Sequence, residues 1–337
     1  MIIEAKRGEV LEEACDILVV GMFSGKKKLG GALAVLDKES DSLISRVIKE
    51  EKFDANVGQT MLVRTDGVLK AKRVLLVGLG LRDRFNLEIV RSAAASAVFA
   101  VLRMNIRKLS LVLIGFGKSV IDAHSCSQAL TEGALLGGYS FGRYKKEDGE
   151  TPKTMMILVH DQQTLRHAQK GIEDGMRTSM SVIFARDLVN TPAQHMRPID
   201  LVDAARAIVK GKGRLRVKIF DKAQLERIGA GGILGVSQGS DHPPYLVHLT
   251  YRPSGKPKKR VAIVGKAVTF DSGGLSLKPA DSMMTMKCDM AGGAAVLGLF
   301  HVISELSLKV EVHGIFAAVE NMPSGSAIRP GDVVRII

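Results

Sequence analysis

Short runs of Val, Leu and Ile alternate with longer helical patterns from one end of this chain to the other, and that alternation restricts the fold more than any other feature. Asp16-Ile-Leu-Val-Val-Gly-Met-Phe, Arg73-Val-Leu-Leu-Val-Gly and Lys108-Leu-Ser-Leu-Val-Leu-Ile-Gly are each bounded by glycine or charge. An apolar run without polar alternation is what a strand covered on both faces requires. Helical patterns lie between them at Gly30 to Leu36, Asn86 to Leu102 and Ser125 to Leu136, and Thr154-Met-Met-Ile-Leu-Val-His reads as a further strand. Strand and helix in this alternation predict an α/β domain, here with a mixed sheet.

Lys145 to Lys153 is polar, carries Gly and Pro, and predicts an exposed loop. A long helical pattern then runs from about Gln163 to Leu188 and stops at Asn190-Thr-Pro, because Pro192 biases Thr191 away from helix. The organisation read from this is an N-terminal α/β domain over 1–162, a connecting helix over 163–190 and a second α/β unit over 191–337. At roughly 150 residues per domain the length also predicts two. In the second unit Pro198 to Lys210 reads as a helix with Leu201, Ala204, Ala205 and Ile208 apolar. Arg216 to Phe220, Tyr245 to Tyr251, Arg260 to Phe270 and Val310 to Val319 read as strands. Gly292 to Leu306 is apolar nearly all round and predicts a buried helix.

Lys and Arg number 48 against 35 Asp and Glu, a net charge of +13. Such an excess favours anionic partners, nucleic acid included, and equally keeps a surface solvated. The basic clusters Lys26-Lys27-Lys28, Lys145-Lys146 and Lys256 to Arg260 are not interleaved with aromatic residues as a base-stacking platform would be. The start, Met1-Ile-Ile-Glu-Ala-Lys-Arg-Gly, lacks the basic-then-apolar order of a secretory signal. No apolar run reads as reaching the roughly 18 residues of a membrane span. Three cysteines, Cys15, Cys126 and Cys288, are far apart and odd in number. A cytoplasmic protein with reduced thiols and no membrane partner is the expectation.

Some motifs fail on spacing. Val77-Gly-Leu-Gly-Leu-Arg-Asp follows a strand and opens like a dinucleotide fingerprint, but Asp83 stands where the third glycine belongs and would repel pyrophosphate. Gly115-Phe-Gly-Lys-Ser ends like a phosphate-binding loop, yet its first glycine is replaced by Val112. Ser272 lacks the glycine two residues earlier that a nucleophile elbow needs, since Phe270 is there. The histidines and cysteines show no zinc-ligand spacing.

The stretch that carries chemistry is residues 260 to 293. An apolar strand, Val261 to Val264, delivers Lys266 and then Asp271 into a loop with Gly273 and Gly274; Lys278 follows, and Asp289 precedes Met290-Ala-Gly-Gly at the start of the buried helix. Two carboxylates and two lysines thus gather in apolar surroundings, where an unpaired charge is too costly. Lysine–aspartate ion pairs answer this requirement, and so does a divalent cation held by Asp271 and Asp289. A lysine also ligates a cation once burial and a nearby cation have lowered its pKa, while the other, still charged, would stabilise an oxyanion. The residues alone leave ion pairing and metal both open.

The same stretch resembles the metal-binding core of the leucyl aminopeptidase family, cytosolic exopeptidases that use two zinc or manganese ions. Thr269-Phe-Asp-Ser-Gly-Gly, Lys278-Pro and Met286-Lys-Cys-Asp-Met match its pattern almost residue for residue. Arg186-Asp-Leu-Val-Asn-Thr-Pro, Ser237-Gln-Gly-Ser-Asp-His-Pro-Pro and Glu320-Asn-Met-Pro-Ser-Gly-Ser-Ala-Ile-Arg-Pro-Gly-Asp-Val-Val resemble further segments. The likeness is specific over about 186–337 and rests, before that, on an α/β domain in the expected place. It implies that Lys266, Asp271 and Asp289 are metal ligands, Asp271 bridging two ions while Lys266 and Asp289 hold the tighter one. It implies that Lys278 polarises the scissile carbonyl, and that Met286 lines the pocket for the first side chain of a peptide substrate; packing alone would equally employ Met286. It further implies a homo-hexamer, and DNA binding as an additional role on this scaffold.

Two positions depart from the family pattern. Ala267 replaces a glycine, placing a methyl beside Lys266. The family's Asn-Thr-Asp-Ala-Glu-Gly-Arg segment, which supplies another Asp ligand, a bridging Glu and an arginine, should follow Arg329-Pro-Gly-Asp-Val-Val-Arg, and Ile337 comes first. The expectation is an aminopeptidase cut inside its catalytic domain, with little activity in these 337 residues alone, or else an inactive assembly partner.

Overall fold

A computed structural model describes the chain except residues 26–28, 103, 115–120, 146–151 and 337. The Lys26-Lys27-Lys28 cluster, the Gly115-Phe-Gly-Lys-Ser motif and most of the loop expected over 145–153 lie outside the described residues. Two units separate by their internal packing, Met1–Met180 and Ser181–Ile337.

The apolar runs of the first unit become strands whose two faces both meet protein. In order the elements are β1 (Ile2–Arg7), β2 (Ile17–Met22), α1 (Ala32–Glu39), α2 (Leu43–Glu50), β3 (Thr60–Arg64), β4 (Arg73–Gly78), α3 (Leu87–Val101), β5 (Lys108–Val112), α4 (Ala123–Gly137) and β6 (Thr154–Val159). They form one mixed sheet, β1-β6-β5-β2-β4-β3, parallel throughout except for β3 against β4. Ile17, Val19, Leu75 and Val77 point into one core with α3 and α4, while Leu18, Val20, Val74 and Leu76 point into a second with α1 and α2. Asn86 starts α3 by accepting hydrogen bonds from the N–H groups of Glu88 and Ile89. The helix α5 (Gln162–Asn190) follows, and the division between the units falls within it.

The glycines of Val77-Gly-Leu-Gly serve chain packing. A Cβ on Gly78 would lie 2.0 Å from the Asn56 carbonyl oxygen, so the face that pyrophosphate would approach is already filled by backbone. The sequence reading missed β1, β3 and α2. The first two are edge strands whose charged residues, Glu4, Lys6 and Arg64 among them, mask the apolar pattern, as edges exposed to solvent favour.

The second unit contains α6 (Pro198–Val209), β7 (Leu215–Phe220), α7 (Lys222–Arg227), α8 (Gly231–Ser237), β8 (Tyr245–Tyr251), β9 (Arg260–Asp271), α9 (Ala280–Met283), α10 (Ala291–Ile303) and β10 (Glu311–Asn321). Its sheet runs β7-β8-β10-β9, antiparallel except for β9 beside β10. Val247, Leu249, Tyr251, Val312, Phe316 and Ala318 share one buried face beneath α6 and α10. Ala280–Ile303 is long and apolar enough to cross a membrane by length and composition, which the reading of apolar runs did not find. Half of its most apolar window is buried, and α10 within it lies on β9 and β10.

Glu13, only 2% exposed, shows how the first unit handles a buried charge. Lys6 and Lys108 both pair with it, and the Ser110 hydroxyl donates to it at 2.7 Å. Burial pushes the carboxyl pKa up, but these charged and neutral donors outweigh it and hold the pKa below the usual glutamate value. Replacing Glu13 by Gln should therefore cost about 1.5–3 kcal/mol in urea unfolding at pH 7, the range for hydrogen bonds to a charged group. A depressed folded-state pKa adds stability above the unfolded-state pKa, so the difference between Glu13→Gln and the native chain should shrink as pH falls through the glutamate range.

Candidate metal centre

Strands β9 and β10 run parallel and end side by side, with Asp271 opposite Asn321 after an irregularity between Val319 and Asn321. The chain then turns back through Gly273 (φ +87°) and Gly274 (φ +65°), both in the left-handed region that glycine alone adopts freely. Ser272 is buried and braces this turn: its hydroxyl donates to the Asn321 carbonyl at 2.8 Å and accepts the Gly274 N–H at 3.2 Å. The Lys278 N–H donates to the Ser272 carbonyl at 2.9 Å, returning that lysine to the end of β9.

Asp271 is thereby held from one side only. Its Oδ1 accepts the Gly273 N–H at 3.0 Å and the Asn321 side-chain amide at 2.8 Å. Its Oδ2 faces cations, Lys278 Nζ at 3.3 Å and Lys266 Nζ at 3.9 Å. Burial alone would raise its pKa; donation from Gly273, Asn321 and Lys278, with the neighbouring Asp289 carboxyl, brings it below the usual aspartate value. Asp289 closes the 3₁₀ turn Met286–Cys288 and sits one residue before Met290, which caps α10. Lys266 Nζ pairs with its Oδ2 at 2.6 Å, and that buried oxygen has no other donor among the described residues.

Of the residues singled out in the sequence, Lys266, Lys278, Asp271 and Asp289 come together. Met286 lies on the 3₁₀ turn three residues before Asp289, half-buried. Lysine–aspartate ion pairing is therefore present in this structure. Two largely buried carboxylates whose Oδ2 atoms meet only ammonium groups are also what a divalent cation would satisfy, so the residues fit such an ion. Among the described residues no group of three or more His, Cys, Asp or Glu side chains gathers to hold a metal; two carboxylates and lysine are what this end of the sheet offers.

The methyl of Ala267 is accommodated by its neighbour. Ala267 is 1% exposed, and a Cβ on Gly293 would come within 2.6 Å of it, so glycine at 293 provides the room that glycine at 267 would otherwise leave. The outlying segments converge here as well. Lys287 Nζ donates to the Asn190 carbonyl at 2.9 Å, and the Ser240 hydroxyl donates to the Glu320 carboxylate. Sequence reasoning gave Asn321 no role of its own, although it lies in a quoted segment; its contact with Asp271 depends on the pairing of two distant strands.

Comparison with known proteins follows the same division. The pattern of the cytosol aminopeptidase family, N-terminal domain, matches residues 19–148, and that of the cytosol aminopeptidase family, catalytic domain, matches residues 183–337. A probable cytosol aminopeptidase of Alkaliphilus oremlandii is 34% identical over 99% of this chain and 67% of its own length. One of Sulfurihydrogenibium is 39% identical over 95% of the chain and 63% of its own length. The chain thus spans about two thirds of these relatives. A mutant of tomato leucine aminopeptidase superposes with a TM-score of 0.85 at 30% identity, covering 99% of this chain and 65% of that one. The bottromycin maturation enzyme BotP in complex with Mn superposes with a TM-score of 0.78 at 33% identity, covering 96% and 63%. On these matches, and on the site they share a region with, the chain belongs to the cytosol aminopeptidase family.

Proposed function

We propose that the cluster at the ends of β9 and β10 is the cation-holding part of an aminopeptidase site that releases N-terminal residues from peptides. The observation that carries this reading is the divided environment of the two carboxylates. Protein donors satisfy Asp271 Oδ1, while Asp271 Oδ2 and the buried Asp289 Oδ2 meet only lysine ammonium groups. Lys266, Asp271 and Asp289 would hold two divalent ions, zinc or manganese. Such ions, when bound, make a water acidic enough to attack an amide near neutral pH and hold a free α-amine. The relative solved with Mn supports a divalent cofactor.

The remaining chemistry belongs to the side chains. Lys278, tied to the loop through its own N–H, would present its ammonium to the scissile carbonyl oxygen and stabilise the charge that develops there. Asn321 and Gly273 fix the Asp271 carboxylate so that it does not swing away from its cationic neighbours. Met286 would line the pocket for the first side chain of the substrate. A cytoplasmic homo-hexamer is the assembly we propose on family grounds.

Manganese binding to the 337-residue chain, read by electron paramagnetic resonance, should weaken at least about tenfold in Asp289→Asn. Unchanged affinity there would remove the basis of the reading. Asn321→Ala should raise the Asp271 pKa in a carbon-13 titration, because one donor to the charged form is lost. In a polypeptide continuing into the family's acidic segment, Lys278→Gln should lower leucine p-nitroanilide turnover by about 10²–10³-fold. Residues 1–337 alone, holding part of the ligand set, should turn it over far more slowly than that longer chain.

A further inference from the structure

The hairpin of β3 and β4 in the first unit places two arginines, Arg64 and Arg73, directly opposite each other across an antiparallel pair. Residues so placed share one face of the sheet, and like charges there are destabilising unless something neutralises them. Neither guanidinium has a carboxylate partner among the described residues. The neighbouring lysines do: Lys70 pairs with Glu12, and Lys72 pairs with Asp16 at 2.8 Å. Both arginines, both lysines, Asp66 and Gly67 line a concavity of 380 Å³ at the neck of this hairpin.

The neck is built to hold its shape. The Thr65 hydroxyl donates to the Ala71 carbonyl at 2.6 Å, the Val68 N–H to the Thr65 carbonyl at 2.9 Å, and the Lys72 N–H to the Cys15 carbonyl at 3.1 Å. Leu69 and Ala71 are buried in the core below, so the turn is anchored from inside while its charged groups face out. Around the concavity four cations meet three carboxylates, Glu12, Asp16 and Asp66. Glu12 and Asp16 are engaged by lysine, and Asp66 makes no ion pair with either arginine. The uncompensated charge therefore sits on the two groups whose planar forks of N–H donors best fit an oxyanion.

We propose that this concavity binds a phosphate oxyanion between Arg64 and Arg73, at a site separate from the metal centre. The phosphate is a free one or the end group of a small molecule. Asp66 sets an upper limit on affinity by opposing the ligand's charge, so Asp66→Asn should bind more tightly.

Calorimetric titration of the chain with pyrophosphate at low ionic strength tests the site. The expected result is binding that the double variant Arg64→Gln/Arg73→Gln weakens at least about tenfold. Lys256→Gln/Lys258→Gln, in the other unit, should bind as the native chain does. Without anion the double arginine variant should unfold at the same temperature as the native chain or higher, since repulsion is relieved; pyrophosphate should raise the unfolding temperature of the native chain alone. A gel-shift arm with duplex DNA identifies the source. Loss of pyrophosphate binding alone in the arginine variant supports a free phosphate, and loss of both pyrophosphate and duplex binding overturns that assignment. Pyrophosphate bound as tightly by that variant as by the native chain, or not bound by the native chain, overturns the proposal.

Discussion

Asp271 and Asp289 bring two negative charges to neighbouring points where water has limited access, and the groups that offset that repulsion define the site. Left alone, such a pair would be driven apart or protonated. Instead, β9 carries Lys266 to the same place, the glycine turn brings Lys278 back to it, and the strand pairing supplies the amide of Asn321. Each of these elements has other structural work, and their ends coincide at one spot, where they offset the carboxylates' charge.

The first unit shows the same constraint solved differently. Glu13 is closed in by Lys6, Lys108 and Ser110, and Glu132 by Arg91, Gln128 and Thr178. These carboxylates find their donors within the fold, leaving nothing for a ligand to add. Asp289 differs because its buried Oδ2 meets only the ammonium of Lys266, a side chain that is itself largely exposed. Incomplete satisfaction of a buried charge is what separates a binding site from a structural ion pair. The facing arginines of the β3–β4 hairpin differ from both, since they lie at the surface and lack a carboxylate partner among the described residues.

Much of the architecture was legible from local pattern. Strands buried on both faces leave continuous apolar runs, so the sequence places β2, β4 and β6 within a residue and β8 to the residue, while the run for β5 extends three residues past its end at Val112. Edge strands and short helices were lost because their stability comes from neighbours rather than from their own sequence. In β1, Glu4 and Lys6 look like solvent residues until β6 pairs beside them. The α1–α2 region was read as one helix ending at Leu36, whereas α1 continues to Glu39 and a second helix begins at Leu43.

By itself, the order of residues determined the α/β class, the family, and the types of side chain that would meet at the site, since the Thr-Phe-Asp-Ser-Gly-Gly turn and the Met-Lys-Cys-Asp-Met turn are local in sequence. Only the tertiary structure decided which oxygens of Asp271 and Asp289 remain open to a cation, that Asn321 orients Asp271, and that Gly293 makes room for the methyl of Ala267. The physical reason is that these contacts join β9 to β10 and α10 across long sequence separations, where direction and distance depend on strand register and helix placement rather than on neighbouring residues.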